Sequence, residues 1–365
     1  MNWFAHRNLI IGLAVLMPVI EGCSYIGPNS LNIERRRYND VVQKTNDEEL
    51  LLNLVRMRYN DNPSFMSVSS ITSSLSLSTS ASPTYSRTVA SAVASITKSI
   101  TPSLTVSDSP TISYAPLQGD SYVRELLTPV TPKLIALLSS SGWPLSVALK
   151  LCFTQINDVL NAPSASRPSP AMAPDFEQFE ELIVNLQKMG TGVQLGYAVL
   201  DKKVQSSLRF SPGMLETPAG KNVVRILKLA PGINKFKLSA NDWFEKKGVI
   251  NVQTRSVLGT LYMLSHNIAI PAEHIDKGWV GKTVTADGKD FDWNLLSKGL
   301  FKVSVNSKRP KYTDVAVEYR GHWFSIARND LKTKKTFTMM SQLLSLQSGS
   351  YVNNSKVPVL TIGVD

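Results

Sequence analysis

The segment VAVEYRGHWFSIA, residues 315–327, decides the fold class of this chain. Apolar and polar residues alternate on both sides of Gly321-His322, which is the pattern of two short strands joined by a tight turn. A helix is predicted from Lys335 to Leu346, and an apolar stretch at 357–364 predicts a closing strand. Strands and a helix in this order predict an α+β fold with helices packed on small mixed sheets.

The chain before this segment mixes helical and extended patterns. The predicted helices span 121–127, 132–139, 144–160, 175–189 and 254–266, and the predicted strands span 193–200 and 223–229. A proline- and serine-rich stretch at 162–170 predicts a domain boundary or an exposed linker.

Residues 64–113 form the most unusual segment, because nearly every second residue is serine or threonine. From Ala92 to Tyr114 the even-numbered residues are mostly apolar, which predicts strands with one apolar and one hydroxyl face. Residues 65–80 and 90–107 are then a membrane-inserted hairpin that turns near 82–86, or an extension of a periplasmic sheet. The third interpretation is a flexible serine-rich linker. The first requires a ring of subunits, because a single hairpin exposes its backbone edges to lipid.

The region after residue 23 is predicted to be helical. A helix is expected at 31–38, and Thr45 with Glu48 forms a capping-box pattern ahead of a second helix at 49–59. The predicted organisation is a signal peptide at 1–22, a helical region at 23–63, a Ser/Thr-rich β or flexible segment at 64–116, a helical region at 117–189 and an α+β domain at 190–365.

The first 22 residues have the features of a bacterial secretory signal. A basic start at Arg7 precedes an apolar stretch from Leu9 to Ile20, which is too short to span a bilayer as a helix. The sequence Ile20-Glu21-Gly22-Cys23 resembles a lipobox, although glutamate at the −2 position departs from the usual pattern. The resemblance implies that Cys23 is acylated. A plain signal peptide and an uncleaved N-terminal anchor are the alternatives.

Ser24 follows the cysteine, where enterobacterial lipoproteins retained in the inner membrane carry an aspartate. By this resemblance the lipidated chain is expected at the outer membrane, with its body in the periplasm. Anchoring in the inner membrane and secretion into the periplasm are the alternative locations.

The mature chain also resembles known sequences in four further segments. They are RYND at 37–40, ELLLNLVR at 49–56, YRGHWF at 319–324 and PVLT at 358–361. In these segments the chain resembles a group of proteobacterial envelope lipoproteins. The resemblance implies an envelope location and supplies no catalytic residues.

The chain carries a formal net charge of +11. Its basic excess is concentrated between Lys298 and Lys335. Behind a signal peptide, this surplus favours anionic lipid phosphates or an acidic protein partner over nucleic acid. A solvated basic face without a partner is the alternative. The candidate contact residues are Lys308, Arg309, Lys311, Lys332, Lys334 and Lys335.

Residues and motifs that usually carry catalysis are sparse. His266 and His274 are eight residues apart across Pro271, which fits no helical metal motif. The sequence contains no HExxH, CxxC, GxSxG or glycine-rich phosphate loop. Cys152 lies in an apolar run and is expected to be a buried core thiol, and the carboxylates at 287–292 predict a polar turn. No catalytic residue, metal or cofactor is therefore expected.

Arg320, His322 and Trp323 form the remaining group of interest. Guanidinium and aromatic groups together can bind a sugar face or an acyl-phosphate headgroup. The favoured interpretation is simpler: Trp323 and Phe324 alternate across a strand, and one of them fills the core.

Together these features predict a non-enzymatic outer-membrane lipoprotein that is a structural or assembly component of an envelope complex. The expected partners are the membrane, through the lipid on Cys23, and further copies or other envelope proteins. A role in secretion or export is the specific version of this hypothesis. The alternative is a periplasmic cell-wall-binding module or an envelope hydrolase.

Overall fold

The computed structural model describes residues 28–72, 75–90, 93–108, 111–117, 120–200, 203–240, 246–354 and 360–363. Its helices are α1 (Pro28–Arg58), α2 (Asp120–Leu127), α3 (Pro132–Ser140), α4 (Leu145–Cys152), α5 (Glu177–Met189), α6 (Pro218–Leu227), α7 (Val257–Ser265), α8 (Ala272–Asp276), α9 (Asn294–Ser297) and α10 (Leu331–Asn354). None of the helices in these ranges has both the length and the hydropathy needed to cross a bilayer.

The strands lie in four sheets. They are β1 (Phe65–Thr72), β2 (Leu75–Ala90), β3 (Val93–Asp108), β4 (Thr111–Leu117), β5 (Phe153–Ile156), β6 (Val159–Leu160), β7 (Val193–Leu200), β8 (Lys203–Phe210), β9 (Lys235–Ser239), β10 (Val249–Thr254), β11 (Ser304–Asn306), β12 (Thr313–Tyr319), β13 (His322–Ala327) and β14 (Leu360–Gly363). Helices and small sheets in one chain confirm the predicted α+β class.

The chain divides into two compact units. Unit 1 contains the described residues of Met1–Pro63 and Arg124–Gln347, and unit 2 contains those of Ser64–Val123 and Ser348–Asp365. Neither unit is one continuous stretch of sequence.

The largest sheet of unit 1 has the strand order β6-β5-β10-β9-β8-β7. It is mixed, because β9 and β10 are parallel while the other neighbours are antiparallel. Helix α3 packs against β7 and β8. Phe210 and Phe236 meet edge to face in the core, and both are almost fully buried. Such aromatic pairs stabilise a core beyond the area that they bury.

The second sheet of unit 1 has the order β11-β13-β12 and is antiparallel. Strands β12 and β13 confirm the predicted hairpin. Its two-residue turn is Arg320-Gly321, one residue earlier than predicted, and both residues have positive φ angles of 48° and 77°. This geometry matches the right-handed twist of the strands, and it brings Tyr319 directly opposite His322. Helix α1 packs on β12.

Helix α1 corrects the prediction of two separate helices. The stretch 39–48 contains neither glycine nor proline, so nothing in it interrupts the helix. Thr45 does not act as a cap, because its hydroxyl donates to the carbonyl of Val42 within the helix. The helix ends where expected, before Asn60, which has a left-handed φ of 60°.

The prediction of one long helix at 144–160 was wrong. Helix α4 ends at Cys152, and β5 and β6 follow. The guanidinium of Arg255 donates to the carbonyls of Lys150, Phe153 and Asn161, two of which a continuing helix would need for itself. A buried cation from a distant part of the sequence therefore ends this helix.

The predicted strand at 223–229 is the second half of helix α6. The Thr217 hydroxyl accepts a hydrogen bond from the amide of Gly220, and Pro218 occupies the first helical position. Val223, Ile226 and Leu227 are buried, and this spacing forms one helical face.

The proline- and serine-rich stretch at 162–170 was predicted to be a boundary or an exposed linker. It contains instead a short 3₁₀ turn, Pro163–Ser166, whose neighbouring Ala162 and Ala165 are fully buried in unit 1. The His266 ring nitrogen Nε2 lies 3.2 Å from the carbonyl of Ala165 and fixes the turn.

Unit 2 contains the serine-rich segment. Strand β4 is the middle strand of the sheet β1-β4-β14, while β2 and β3 pair only with each other among the described strands. Their register runs from Leu75 opposite Asp108 to Ala90 opposite Val93. The segment therefore forms strands, and the predicted turn at 82–86 lies inside β2. Pro83 is tolerated there because a two-stranded sheet leaves half of its backbone amides at open edges.

Candidate functional site

The six basic residues predicted to contact an anionic partner lie in two segments beside the sheet β11-β13-β12. Lys308, Arg309 and Lys311 are exposed on the loop between β11 and β12. Lys332, Lys334 and Lys335 lie in the first turns of α10. The loop starts where Asn306 pairs with Trp323 and ends where Thr313 pairs with Ala327, and α10 begins shortly after Ala327. The structure therefore brings Lys311 near the start of α10, while Arg309 lies toward the turn between β12 and β13.

Two of these basic side chains already have partners. Lys334 forms an ion pair of 2.9 Å with Asp314. Arg309 lies over the ring of Trp323, 5.0 Å from its centroid. The other predicted site residue, Cys23, lies outside the described residues.

A compact polar cluster lies around the turn between β12 and β13 of this sheet. Three elements build it. The chain just after α1 supplies Tyr59 and Asp61, helix α8 supplies Glu273 and His274, and the hairpin turn supplies Arg320 and His322. We call these residues, with Tyr319 and Trp279, the histidine cluster.

Helix α8 has a clear local origin. Pro271 precedes the helix, and its carbonyl accepts the amide of His274 at 3.0 Å. Gly278, with a positive φ of 69°, ends the turn, and the amide of Trp279 then donates to the carbonyl of His274. This short turn places His274 in the interior, while Glu273 remains half exposed.

The two histidines and Glu273 lie close together. His274 Nε2 is 3.6 Å from Glu273 Oε1, and His322 Nε2 is 3.5 Å from the same oxygen. The two imidazole rings are edge to face, with centroids 5.0 Å apart. On the other side of the His274 ring, Nδ1 is 2.6 Å from the Tyr59 hydroxyl. Only 2% of the His274 side chain is exposed, against 20% for His322.

Arg320 lies over the rings of Tyr59 and Trp279 in the cluster. Its guanidinium lies 4.8 Å from the ring centroid of Tyr59 and 5.4 Å from that of Trp279. It forms an ion pair of 3.0 Å with Asp61, whose carboxylate also accepts a hydrogen bond from the Tyr319 hydroxyl. The arginine charge is therefore balanced within the cluster.

Burial shifts the pKa values of His274 and Tyr59. It lowers the pKa of His274, and the neighbouring His322 lowers it further, so the neutral imidazole is favoured. Burial also raises the pKa of Tyr59 to about 12, against the opposing effect of Arg320. Tyr59 thus keeps its proton and can serve His274 as a hydrogen-bond partner.

Sequence reasoning missed this cluster, because Tyr59, His274 and His322 are far apart in the chain. The only local signal was the sequence YRGHWF, which placed a histidine at a tight turn. The predicted group of Arg320, His322 and Trp323 does not converge, since Trp323 packs against Arg309. Phe324 is fully buried, which confirms the alternation of Trp323 and Phe324 across the strand.

Other predicted residues have structural roles. Cys152 is fully buried, as predicted, and burial raises the pKa of its thiol to about 12. His266 is buried against the ring of Trp293. Residues 287–292 contain the predicted polar turn, in which the amide of Gly288 donates to the carbonyl of Thr285.

A groove of about 470 Å³ lies elsewhere in unit 1, along β10 and the end of α6. Lys228, Lys246 and Lys247 line it, with Asp158 as its carboxylate. Lys228 and Asp158 form an ion pair of 2.7 Å, and the lining contains neither histidine nor cysteine. The histidine cluster is therefore the stronger candidate for chemistry.

Comparison with known proteins gives no relative for this chain: no protein-family model matches it, no curated protein is detectably similar, and no solved structure matches it. The functional assignment therefore depends on the geometry of the described residues.

Proposed function

We propose that this chain is a non-enzymatic lipoprotein of the outer membrane that acts as a structural component of an envelope assembly. Acyl groups on Cys23 would anchor it, since two such chains hold a protein stably at a membrane without a spanning helix. The body would lie in the periplasm, and copies would associate through the hairpin of β2 and β3. A role in secretion or export is the specific version of this proposal.

The register of this hairpin is the observation that carries the proposal. Each strand has 16 residues, about 50 Å of extended chain. On one face, seven of the eight cross-strand pairs join serine or threonine to serine or threonine. The opposite face holds the apolar positions, among them Leu75, Leu77 and Ile100. Ser80 and Ser103 are exposed, and their hydroxyls are 2.7 Å apart.

A second copy of this chain is the partner that fits the hairpin best. An isolated two-stranded sheet is marginally stable in water, and its edges present unpaired backbone groups. Within the described part of the chain, no third strand pairs with β2 or β3. Hairpins of identical copies, arranged head to tail, would pair these edges and close into a ring.

The basic residues beside the sheet β11-β13-β12 support an envelope location. We infer that Lys308, Arg309, Lys311, Lys332, Lys334 and Lys335 face anionic phosphates or an acidic protein. Such an attraction acts over about 8 Å at physiological salt, so it orients a body that is already anchored near a membrane.

The test is fractionation of cells that express the full chain, followed by sizing of the detergent extract. Three chains are compared: wild type, Cys23→Ala, and a variant in which a short Gly-Ser linker replaces residues 75–108. We expect the wild type in the outer membrane as a large oligomer, and the Cys23→Ala protein in the soluble fraction. The hairpin variant should remain membrane-bound as a monomer.

A triple charge variant, Lys308→Glu, Arg309→Glu and Lys311→Glu, serves as the matched control for oligomer size. It alters an exposed surface and leaves the hairpin unchanged, so its oligomer should have the size of the wild type. A wild-type protein that is monomeric and soluble would contradict both the anchor and the assembly. An oligomer that survives removal of the hairpin would contradict the assigned interface alone.

The second candidate function is an envelope hydrolase or a cell-wall-binding module. The observation that favours it is the histidine cluster, which is a compact set of polar groups around His274. The sizing experiment separates the two candidates, because a hydrolase or binding module does not require a hairpin-dependent ring.

A further inference from the structure

We propose that Glu273, His274 and His322 bind a divalent transition-metal ion of the zinc class, with the Nε2 atoms of both histidines and one carboxylate oxygen as ligands. Among the described residues, these three form the group whose ligand atoms converge, and all three atoms lie within 4.8 Å of one another. Imidazole and carboxylate are ligands that zinc prefers. This inference goes beyond the proposed function and does not depend on it.

The two distances from the imidazoles to Glu273 suit a metal better than direct hydrogen bonds. Ligands at about 2.1 Å from a tetrahedral zinc ion are separated from one another by about 3.4 Å. The two distances from Nε2 to Glu273 Oε1 are 3.6 Å and 3.5 Å. Hydrogen bonds from N–H to oxygen are shorter, at about 2.7–3.2 Å.

The Tyr59 hydroxyl behind His274 fixes the orientation of that imidazole. His274 Nδ1 lies 2.6 Å from the Tyr59 hydroxyl, and His322 Nδ1 lies 3.5 Å from the carbonyl of Arg320. Metal-binding histidines usually donate their second ring N–H to an oxygen in this way. In that tautomer, the Nε2 lone pair of His274 faces the carboxylate of Glu273. A cation stabilises such a convergence of lone pairs and negative charge.

The neighbouring positive charges pair with Asp61 and with Glu273 Oε2, and not with Glu273 Oε1. Arg320 is paired with Asp61 at 3.0 Å. Lys277 lies 3.8 Å from Glu273 Oε2, so the other carboxylate oxygen, Oε1, faces the histidines. Three protein ligands leave a coordination position for water or a small ligand, and half-exposed Glu273 lies on the solvent side.

The test is metal titration of the purified full chain in detergent, prepared with a tag that lacks histidine. After treatment with a chelator, Zn²⁺ binding is measured by calorimetry. Co²⁺ binding is measured by visible absorption, because its bands report the coordination geometry and a thiolate ligand. We expect one ion per chain and a spectrum without thiolate. His322→Gln and Glu273→Gln should each weaken Zn²⁺ binding about 100-fold or more.

Two further variants make the test specific. Tyr59→Phe removes the hydroxyl behind His274 and should weaken binding about tenfold, as the loss of an outer-shell partner does. Asp276→Asn changes an exposed carboxylate of the same helix, and it should bind Zn²⁺ like the wild type. Circular dichroism verifies that each variant is folded. The proposal is overturned if folded His322→Gln binds Zn²⁺ with unchanged affinity, or if the wild type binds less than one ion per chain.

Discussion

His266 is a buried titratable residue that makes the stability of unit 1 depend on pH. Its ring stacks on Trp293, with centroids 4.1 Å apart, and 5% of the residue is exposed. Burial lowers its pKa to about 4, and the charge of Arg58 contributes in the same direction. Hydrogen bonds to the backbone at Ala165 and Arg167 oppose the shift. The folded chain therefore holds His266 neutral at pH values where the unfolded chain protonates it.

We expect the free energy of unfolding to fall by about 3 kcal/mol between pH 6.5 and pH 4 because of this residue. In that window the unfolded state binds one more proton at His266 than the folded state, so acid favours unfolding. Above about pH 7.5 neither state is protonated there, and the contribution is constant. Urea denaturation across this pH range measures the effect.

His266→Gln is the matching variant, since its amide can still donate to the carbonyl of Ala165. The variant should lose stability at pH 7.5 because the ring stack is lost. Its stability should then fall less steeply with acid than that of the wild type. If the free energy of unfolding falls equally with acid in both proteins, His266 is not responsible for the loss of stability at low pH.

Among single residues, Arg255 has the role that could least be predicted from the sequence. Only 1% of this residue is exposed, and its guanidinium is surrounded by backbone carbonyls from 150–162. Arginine is rarely buried, so the sequence around Arg255 does not predict that its guanidinium lies in the core. Cys152 could be predicted, because an apolar cysteine in an apolar run is usually core.

Among the elements, helix α6 shows how one capping residue decides between helix and strand. The Thr217 hydroxyl accepts the Gly220 amide at 3.0 Å and donates to the Met214 carbonyl at 2.7 Å. Thr217→Ala removes both bonds. The free energy of unfolding should fall by about 1–2 kcal/mol, measured by urea denaturation.

Thr217→Ser keeps the hydroxyl and is the matched control. Its stability should lie within about 0.5 kcal/mol of the wild type. Equal losses in the alanine and serine variants would mean that the threonine methyl group, and not the cap, stabilises this helix.

Elements with a complete local signal could be predicted, and those that depend on distant partners could not. The hairpin of β12 and β13 has alternating residues and a turn that favours glycine, so it follows from its own sequence. Helix α4 is cut short by Arg255, a hundred residues further along the chain. The histidine cluster has the same origin: its members meet only through tertiary packing, so no spacing in the sequence reveals it.

Considering the molecule as a whole, strand β14 supplies the third strand of the sheet β1-β4-β14 in unit 2. Strand β14 pairs with β4, and Thr361 lies opposite Ser113. Removing residues 355–365 should expose one side of β4. Amide exchange in Thr111–Leu117 should accelerate about fivefold for each hydrogen bond lost, since one such bond is worth about 1 kcal/mol.

A chain that ends after Gly363 is the control, because it retains β14. Hydrogen exchange with mass spectrometry compares the two truncations. Exchange in β12 and β13 should be the same in both chains. The pairing of β14 would be refuted if the shorter chain protected β4 as well as the control does.

The separation of Tyr59 and His274 by 215 residues has a consequence for the order of folding. Closing so long a loop is entropically costly, and contacts of this range form late. A ribosome must release the chain as far as His274 before the Tyr59 hydroxyl can meet that ring, and His322 emerges later still. A nascent chain that ends before His322 thus lacks the complete cluster. The assembled cluster is a marker that synthesis has passed the hairpin turn and that the first helix has docked.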